Sequence, residues 1–130
     1  MFPLILVAVF SAVSILLLGQ FLFGAPYVPS KQSKVRALLE LSGVRPGEKA
    51  VDLGSGDGRI VEAFARAGAE AHGYEINPML VWTSRRRLRA AGLSGKACIH
   101  WKSFWPADLS DMDVVAFYGT RHMLDQLTDK

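Results

Sequence analysis

The hydrophobic and polar positions divide the chain into an apolar first segment and a mixed remainder. Residues 2–25 carry no charged side chain, and every charged residue lies beyond position 30. At about 1.5 Å of rise per residue, a helix of this length is long enough to cross a hydrocarbon core of about 30 Å. The pattern therefore predicts a transmembrane anchor over residues 1–25, in contact with the lipid bilayer.

A cleaved signal peptide is the alternative for the same apolar segment. No lysine or arginine precedes it, no A-x-A site follows it, and Pro26 stands directly after Gly24 and Ala25, where cleavage would have to occur. We therefore expect an uncleaved, single-pass membrane anchor. Basic residues follow the segment, so the positive-inside rule places the rest of the chain on the cytoplasmic side, or on the matrix side of a mitochondrion.

Beyond the anchor, apolar runs of strand length alternate with helical patterns. Residues 26–46 are predicted to form a linker and one helix, capped by Ser30. Residues 47–130 are predicted to form one domain, with helices beginning after Gly58 and at Asn77. Its four predicted strands lie at 50–53, 69–75, 96–101 and 113–119. This alternation predicts an α/β fold with a doubly wound parallel sheet, here a partial one of about four strands.

Composition and charge narrow the kinds of site. Cys98 is the single cysteine, which excludes an intrachain disulfide and favours a reducing compartment. The three histidines lack metal-ligand spacing, so we expect no metal. Nucleic-acid binding would need aromatic interleaving or a wider basic surface, so we expect no nucleic-acid partner. The densest basic cluster fits the solvated face of a helix, or a contact with anionic lipid headgroups; its members are Arg85, Arg86, Arg87 and Arg89.

Three glycines at alternate positions follow the first predicted strand. The sequence VDLGSGDGRI, residues 51–60, places them at the carboxyl end of the sheet, where folds of this class bind ligands. A dinucleotide fingerprint, G-x-G-x-x-G, would need glycine or alanine where Arg59 stands. The observed spacing is D-x-G-x-G-x-G, which disfavours a nicotinamide-dependent oxidoreductase. A glycine-rich turn without a ligand is disfavoured by the conformational entropy that glycines cost.

An acidic residue ends the second predicted strand. Glu75 stands 17 residues after Gly58, where a carboxylate can accept hydrogen bonds from both hydroxyls of a ribose. Enzymes that use NAD place an acid at the same point. Glu75 therefore indicates an adenosine-containing ligand and does not by itself indicate a reaction.

The stretch from Asp52 to Gly58 resembles motif I of the class I S-adenosylmethionine-dependent methyltransferases. A longer resemblance covers nearly the whole chain, through the apolar N-terminal segment, YVPSKQSKV, VDLGSGDGRIV, GYEINPMLVW followed by SRRR, and DLSDMDVVAFYG. These features are similar to those of the membrane-anchored protein-lysine methyltransferases, which modify the c-subunit of ATP synthase and the adenine nucleotide translocase and have bacterial relatives. The resemblance implies a Rossmann-like fold, S-adenosyl-L-methionine as the cofactor and a lysine of a membrane protein as the substrate.

The same resemblance implies the roles of individual residues. Asp52, Gly54 and Gly56 would cradle the amino-acid end of the cofactor, and Glu75 would hold its ribose. The predicted cofactor-binding set is Asp52, Gly54, Ser55, Gly56, Glu75, Asn77 and Ser103. The predicted catalytic residues are Tyr118 and, through its main chain, Gly119, because both would line the channel in which the acceptor lysine becomes neutral.

The chain departs from the family pattern at three points. Ser103 stands where the family usually has an acid facing the adenine amino group, and Arg121 stands where it tends to have proline. The third departure is that four strands are predicted where a complete sheet of this class has seven, so the C-terminal strands are expected to be absent. The missing strands leave open a non-catalytic ligand-binding remnant. A methyltransferase acting on a small amphiphile, such as a quinone precursor or lipid amine, is also open, since the anchor would make such a substrate accessible.

Overall fold

The computed structural model describes residues 7, 11–15, 18 and 32–129. Residues 11–15, inside the apolar segment, are helical. Within the described residues, no helix combines the length and the apolarity needed to cross a membrane. Most of the predicted anchor over residues 1–25 lies outside the described residues, as does the predicted cap Ser30, so both stay predictions.

Strands and helices alternate as far as the third strand, and the fourth strand follows the third without an intervening helix. The elements are α1 (Gln32–Ser42), β1 (Lys49–Leu53), α2 (Arg59–Arg66), β2 (Glu70–Glu75), α3 (Pro78–Ala90), β3 (Ala97–Trp101), β4 (Val114–Phe117) and α4 (Arg121–Thr128). All four predicted strands are present. Helix α4 was not predicted.

The four strands form one parallel sheet in the order β3-β2-β1-β4. Leu53 at the end of β1 lies opposite Tyr74 of β2 and Phe117 of β4, and Glu75 lies opposite Trp101 of β3. The carboxyl ends of all four strands therefore meet along one edge of the sheet. The α/β fold with a parallel four-stranded sheet is confirmed.

The core lies between the sheet and helices α2 and α3. Phe64 and Val61 of α2 are fully buried, and Ile60 packs at the margin of the same cluster. The sheet contributes the small side chains of Ala50, Ala71 and Ala116 to this cluster. Burial of these apolar groups fixes α2 over the sheet, and with it the turn that leads into α2.

Helix α3 begins at the predicted Asn77 and ends two residues before a glycine. The Asn77 side chain accepts a hydrogen bond from the Met79 amide at 3.0 Å, and Pro78 occupies the first helical position. Gly92 follows the helix with φ +71°, a left-handed conformation that suits glycine. Since Glu75 stands just before this helix, the N-cap fixes where α3 starts relative to Glu75.

Helix α4 lies at the end of the described residues and was not predicted. Thr120 caps it by accepting a hydrogen bond from the Met123 amide at 3.3 Å, which is a recognisable start. None of its residues is buried, so it contributes nothing to the core, although Met123, Leu124 and Leu127 lie at helical spacing.

Candidate functional site

The turn between β1 and α2 has a backbone that only glycine adopts readily. Gly54, Gly56 and Gly58 have φ angles of +77°, +56° and +83°, in the left-handed region where a side chain is strained. The amides of Gly54 and Ser55 both donate to the carbonyl of Tyr74 at 2.9 Å. The glycine turn, residues 54–58, is therefore attached to the end of β2.

The three glycines have different surroundings. A Cβ added to Gly58 would lie 2.8 Å from the Cβ of Ser84, which is fully buried on α3. Gly58 thus permits α3 to approach the turn closely, which is a packing role. A Cβ added to Gly54 would meet no heavy atom within 4 Å. Gly54 therefore faces open space at the carboxyl edge of the sheet, where a ligand can approach the main chain.

Glu75 holds the glycine turn through its side chain. Its Oε2 atom accepts from the Gly56 amide at 2.9 Å, and its Oε1 atom accepts from the amides of Ile76 and Asn77, both at 2.9 Å. A carboxylate offers about four acceptor positions, so about one remains free. One ribose hydroxyl can bind without rearrangement, whereas a second would have to replace an N–H donor. Binding of both hydroxyls stays a prediction.

Asp52 lies at the inner face of the same edge and is almost completely buried. Burial, and secondly the nearby Glu75 carboxylate, raise the pKa of Asp52 to about 8. At neutral pH this side chain is therefore mostly a neutral acid that can donate a hydrogen bond.

Two members of the predicted cofactor set support the turn from inside. The Ser55 hydroxyl is buried without a partner among the described residues, and it packs so close to Gly73 of β2 that a Cβ there would lie 2.7 Å from it. The side chain therefore faces the space between β2 and α2. Asn77 uses its side chain to cap α3 and its amide to bind Glu75. In this arrangement both residues shape the site without facing its open edge.

The end of β3 carries a tryptophan that was not predicted from sequence to belong to the site. The Trp101 indole donates to the carbonyl of Ile76 at 3.1 Å, and its side chain is largely exposed beside Glu75. Ser103 follows two residues later, exposed, and its hydroxyl accepts a long hydrogen bond of 3.4 Å from the Trp105 amide. A ligand held by Glu75 would therefore meet Trp101 before it met Ser103.

The two predicted catalytic residues at the end of β4 have different surroundings. Tyr118 is 88% exposed. The main chain of Gly119 lies against the ring of Phe117, which an added Cβ would overlap. Phe117 in turn packs edge-on against Phe104, with ring centroids 5.8 Å apart, and Phe104 contacts Trp105 at 4.8 Å. Phe104 and Trp105 were not predicted, because they lie in an irregular stretch without periodicity.

The arginine cluster is only partly a solvated helix face, which corrects the expectation from sequence. Arg87 donates to the carbonyl of Asp57 at 3.1 Å and also contacts the Asp57 carboxylate at 3.3 Å. Arg85 donates to the carbonyl of Ile99 at 2.8 Å. Arg86 lies over the ring of Trp82 at 5.4 Å, on the outer side of α3. Two of these arginines therefore bind other elements, since the inner margin of the helix passes close to the turn and to β3.

The raised pKa of Asp52 predicts that stability falls as pH rises. Between pH 4 and 8 the folded chain retains a proton that Asp52 of the unfolded chain, with a pKa of 3.8, has already released. The contribution of the protonated Asp52 to the free energy of unfolding is thus fully present below pH 4 and is lost toward pH 8. The free energy of unfolding should fall with a slope approaching about 1.4 kcal/mol per pH unit. Denaturant unfolding of the chain and of Asp52→Asn at pH 5 and pH 7 measures it. The asparagine variant should lack this component.

Asp111→Asn is the matched control for that experiment, because Asp111 is exposed and forms only a surface ion pair with Lys49 at 3.3 Å. Its stability should follow that of the unchanged chain at both pH values. Equal pH dependence in all three proteins would show that Asp52 is ionised in the folded state.

The site fits an adenosine-containing cofactor on two observations. Gly54 leaves open space beside the main chain, and Glu75 retains an acceptor position after binding three amides. Comparison with known proteins identifies the protein family. The model of the ANTKMT methyltransferase domain matches residues 52–130. The chain belongs to this family.

Two curated relatives are lysine N-methyltransferases. The lysine N-methyltransferase of the ATP synthase c-subunit from Rattus norvegicus is 40% identical over 105 residues, covering 81% of this chain and 48% of that protein. The adenine nucleotide translocase lysine N-methyltransferase of Mus musculus is 43% identical over 106 residues, covering 81% and 46%. The chain thus spans about half the length of the curated relatives it matches.

A solved structure agrees with the fold and the cofactor. An RNA methyltransferase from Salinibacter ruber, in complex with S-adenosyl-L-homocysteine, superposes with a TM-score of 0.74 and 35% identity, covering 78% of this chain and 67% of that one. The resemblance stated from the sequence is confirmed, and so is S-adenosylmethionine as the cofactor of the family. Across residues 32–129 no group of three or more potential metal ligands occurs.

Proposed function

We propose that this chain is the cofactor-binding part of an S-adenosylmethionine-dependent N-methyltransferase that modifies a lysine of a membrane protein. The observation that carries the proposal is the glycine turn bound to Glu75, with the Gly56 amide 2.9 Å from the carboxylate. Membership of the ANTKMT methyltransferase domain family supports the reaction class. The names of the rat and mouse relatives support a lysine of the ATP synthase c-subunit or of the adenine nucleotide translocase as the acceptor.

The proposed roles divide between the two ends of the site. Gly54 and Gly56 present main chain to the amino-acid end of the cofactor, Asp52 lies beneath them, and Glu75 accepts from the ribose. When bound, the cofactor supplies a methyl group to the lysine Nζ. The bond from the methyl carbon to sulfur breaks as the bond from that carbon to nitrogen forms, and S-adenosylhomocysteine is left. Catalysis of this kind depends mainly on alignment, for which effective molarities correspond to about 7–11 kcal/mol.

The acceptor lysine must lose its proton before it reacts, although a free lysine has a pKa near 10.4. An apolar environment lowers this pKa by disfavouring the ammonium form. The packed rings of Phe104, Trp105 and Phe117 provide apolar surface at the end of β4, and we place the acceptor there. Tyr118 and the Gly119 main chain are proposed to border the same approach.

Transfer of labelled methyl groups tests the proposal. The 130-residue chain is incubated in detergent with methyl-labelled S-adenosylmethionine and, separately, purified ATP synthase c-subunit, membrane lipid extract or RNA. We expect label in protein at lysine, abolished by Lys→Arg substitution in the acceptor. Label in the organic phase would instead support the small-amphiphile alternative, and label in RNA alone would contradict the proposed substrate class.

We also propose that the chain acts at a membrane, on the cytoplasmic or matrix side. The uncharged segment over residues 2–25 supports this, since it has the length of a spanning helix. The chain should therefore sediment with membranes and resist carbonate extraction. Release of the chain into the soluble fraction by carbonate would remove this part of the proposal.

A further inference from the structure

The carboxylate of Asp57, near the end of the glycine turn, is buried and has two cationic partners. Asp57 is 7% exposed, and its Oδ2 atom lies 2.8 Å from Nε of Arg59 and 3.3 Å from Nη2 of Arg87. Arg59 is a local partner at the start of α2, two residues away. Arg87 comes from the third turn of α3, thirty residues along the chain. Of the two, Arg87 is therefore the one that links the turn to a separate element.

Arg87 contacts the turn at more than one atom. Its Nε donates to the main-chain carbonyl of Asp57 at 3.1 Å, and its Nη1 lies 3.4 Å from the Glu62 carboxylate on α2. Together with the contact to the Asp57 side chain, these bonds allow one guanidinium on α3 to bridge the glycine turn and α2. We call the contacts of Arg87 with Asp57 and Glu62 the Arg87 clamp. A planar guanidinium suits such multiple contacts, whereas a lysine ammonium is a single point of charge.

The Arg87 clamp completes a series of attachments along the glycine turn. Gly54 and Ser55 bind the Tyr74 carbonyl, Gly56 binds Glu75, and Asp57 binds Arg87. Gly58 then packs against α3. Each residue of the turn is thus fixed to the end of β2 or to α3. A turn held in this way loses less conformational freedom when a ligand binds.

We infer that Arg87 is a positioning residue for the cofactor site: through Asp57 it holds the glycine turn in the conformation that presents Gly54 and Gly56 to the ligand. The inference rests on the proposed function, since positioning matters only if the cofactor binds at this turn. Arg87 acts through the turn and contacts no ligand itself. Its neighbours Arg85 and Arg86 contact other groups and have no such role.

Titration of the full chain with S-adenosylhomocysteine tests the inference, with Arg87→Met and Arg87→Lys as variants and Arg86→Met as the matched control. Arg86 is the adjacent arginine on the outer side of α3. We expect the dissociation constant to rise about tenfold in Arg87→Met and by a smaller factor in Arg87→Lys. It should not change in Arg86→Met. Thermal unfolding is recorded for each protein, and titrations are performed well below the lowest midpoint.

Amide hydrogen exchange of the ligand-free chain provides a readout independent of the cofactor. The Gly56 amide should exchange about tenfold faster in Arg87→Met than in Arg86→Met, because its bond to Glu75 depends on the held turn. Failure of the unchanged chain to bind, with faster exchange in Arg87→Met, would overturn the proposed function and leave the clamp standing. Unchanged affinity and exchange in Arg87→Met, or equal losses in Arg86→Met, would overturn the positioning role.

Discussion

Replacing Glu75 with alanine should weaken binding of S-adenosylmethionine at least tenfold. The carboxylate accepts three main-chain N–H groups and has about one acceptor position left for the ligand. Hydrogen bonds to a charged group contribute about 1.5–3 kcal/mol each, and the alanine variant loses the ligand contact together with the bond that holds Gly56. Calorimetric titration measures the dissociation constant, and far-UV circular dichroism verifies that the fold remains.

Glu75→Gln sharpens the same prediction. An amide can still accept from Ile76 and Asn77 through its oxygen, but its nitrogen then faces the Gly56 amide, so two donors meet. Binding should therefore be impaired even though size and shape are nearly unchanged. Glu70→Ala, at the start of the same strand, is the control and should bind normally, because Glu70 contacts His72 away from the turn. Normal binding by Glu75→Gln would mean that the carboxylate does not hold the turn.

The second large effect is on stability, from Gly58→Ala. Alanine at φ +83° costs about 1–2 kcal/mol, and its Cβ would lie 2.8 Å from the Cβ of buried Ser84, where overpacking adds about 1–3 kcal/mol. We expect the free energy of unfolding in denaturant to fall by about 2–5 kcal/mol. The change should also reduce cofactor binding, since α3 carries both Ser84 and the Arg87 clamp.

The variant Gly92→Ala separates the cost of the left-handed backbone from the cost of the close contact with Ser84. Gly92 has a similar backbone, φ +71°, but an added Cβ meets no heavy atom within 4 Å, so only the backbone cost of about 1–2 kcal/mol applies. Adding Ser84→Gly to Gly58→Ala should restore part of the lost stability. Equal losses in Gly58→Ala and Gly92→Ala would refute a close contact between the turn and α3.

Much of the fold could be predicted from local sequence patterns. The strand β1 is a buried apolar run, and α3 has both an N-cap and a first-position proline, so their positions follow from short-range chemistry. Helix α4 was not predicted, although Thr120 is a recognisable N-cap. The contact between Phe104 and Phe117 also could not be predicted, because residues 102–113 have no periodic pattern to indicate their path.

The sequence located the site but could not predict the directions in which its side chains point. The glycine spacing and Glu75 located the site, but the bond from the Gly56 amide to the carboxylate depends on left-handed turn geometry that no spacing specifies. Arg87 was grouped with its neighbours as solvated. At 3.6 residues per turn, Arg85 and Arg87 flank the buried face of the helix whereas Arg86 lies opposite, so helical phase could have separated both from Arg86.

Titration calorimetry of the 130-residue chain in detergent, with S-adenosylmethionine and with NAD in separate runs, tests the central claim most directly. The turn geometry, the free acceptor position on Glu75 and the family predict saturable binding of S-adenosylmethionine at one site, weakened in Glu75→Ala, and no saturable binding of NAD. Saturable binding of NAD alone, or S-adenosylmethionine binding that is unaffected by Glu75→Ala, would contradict the account.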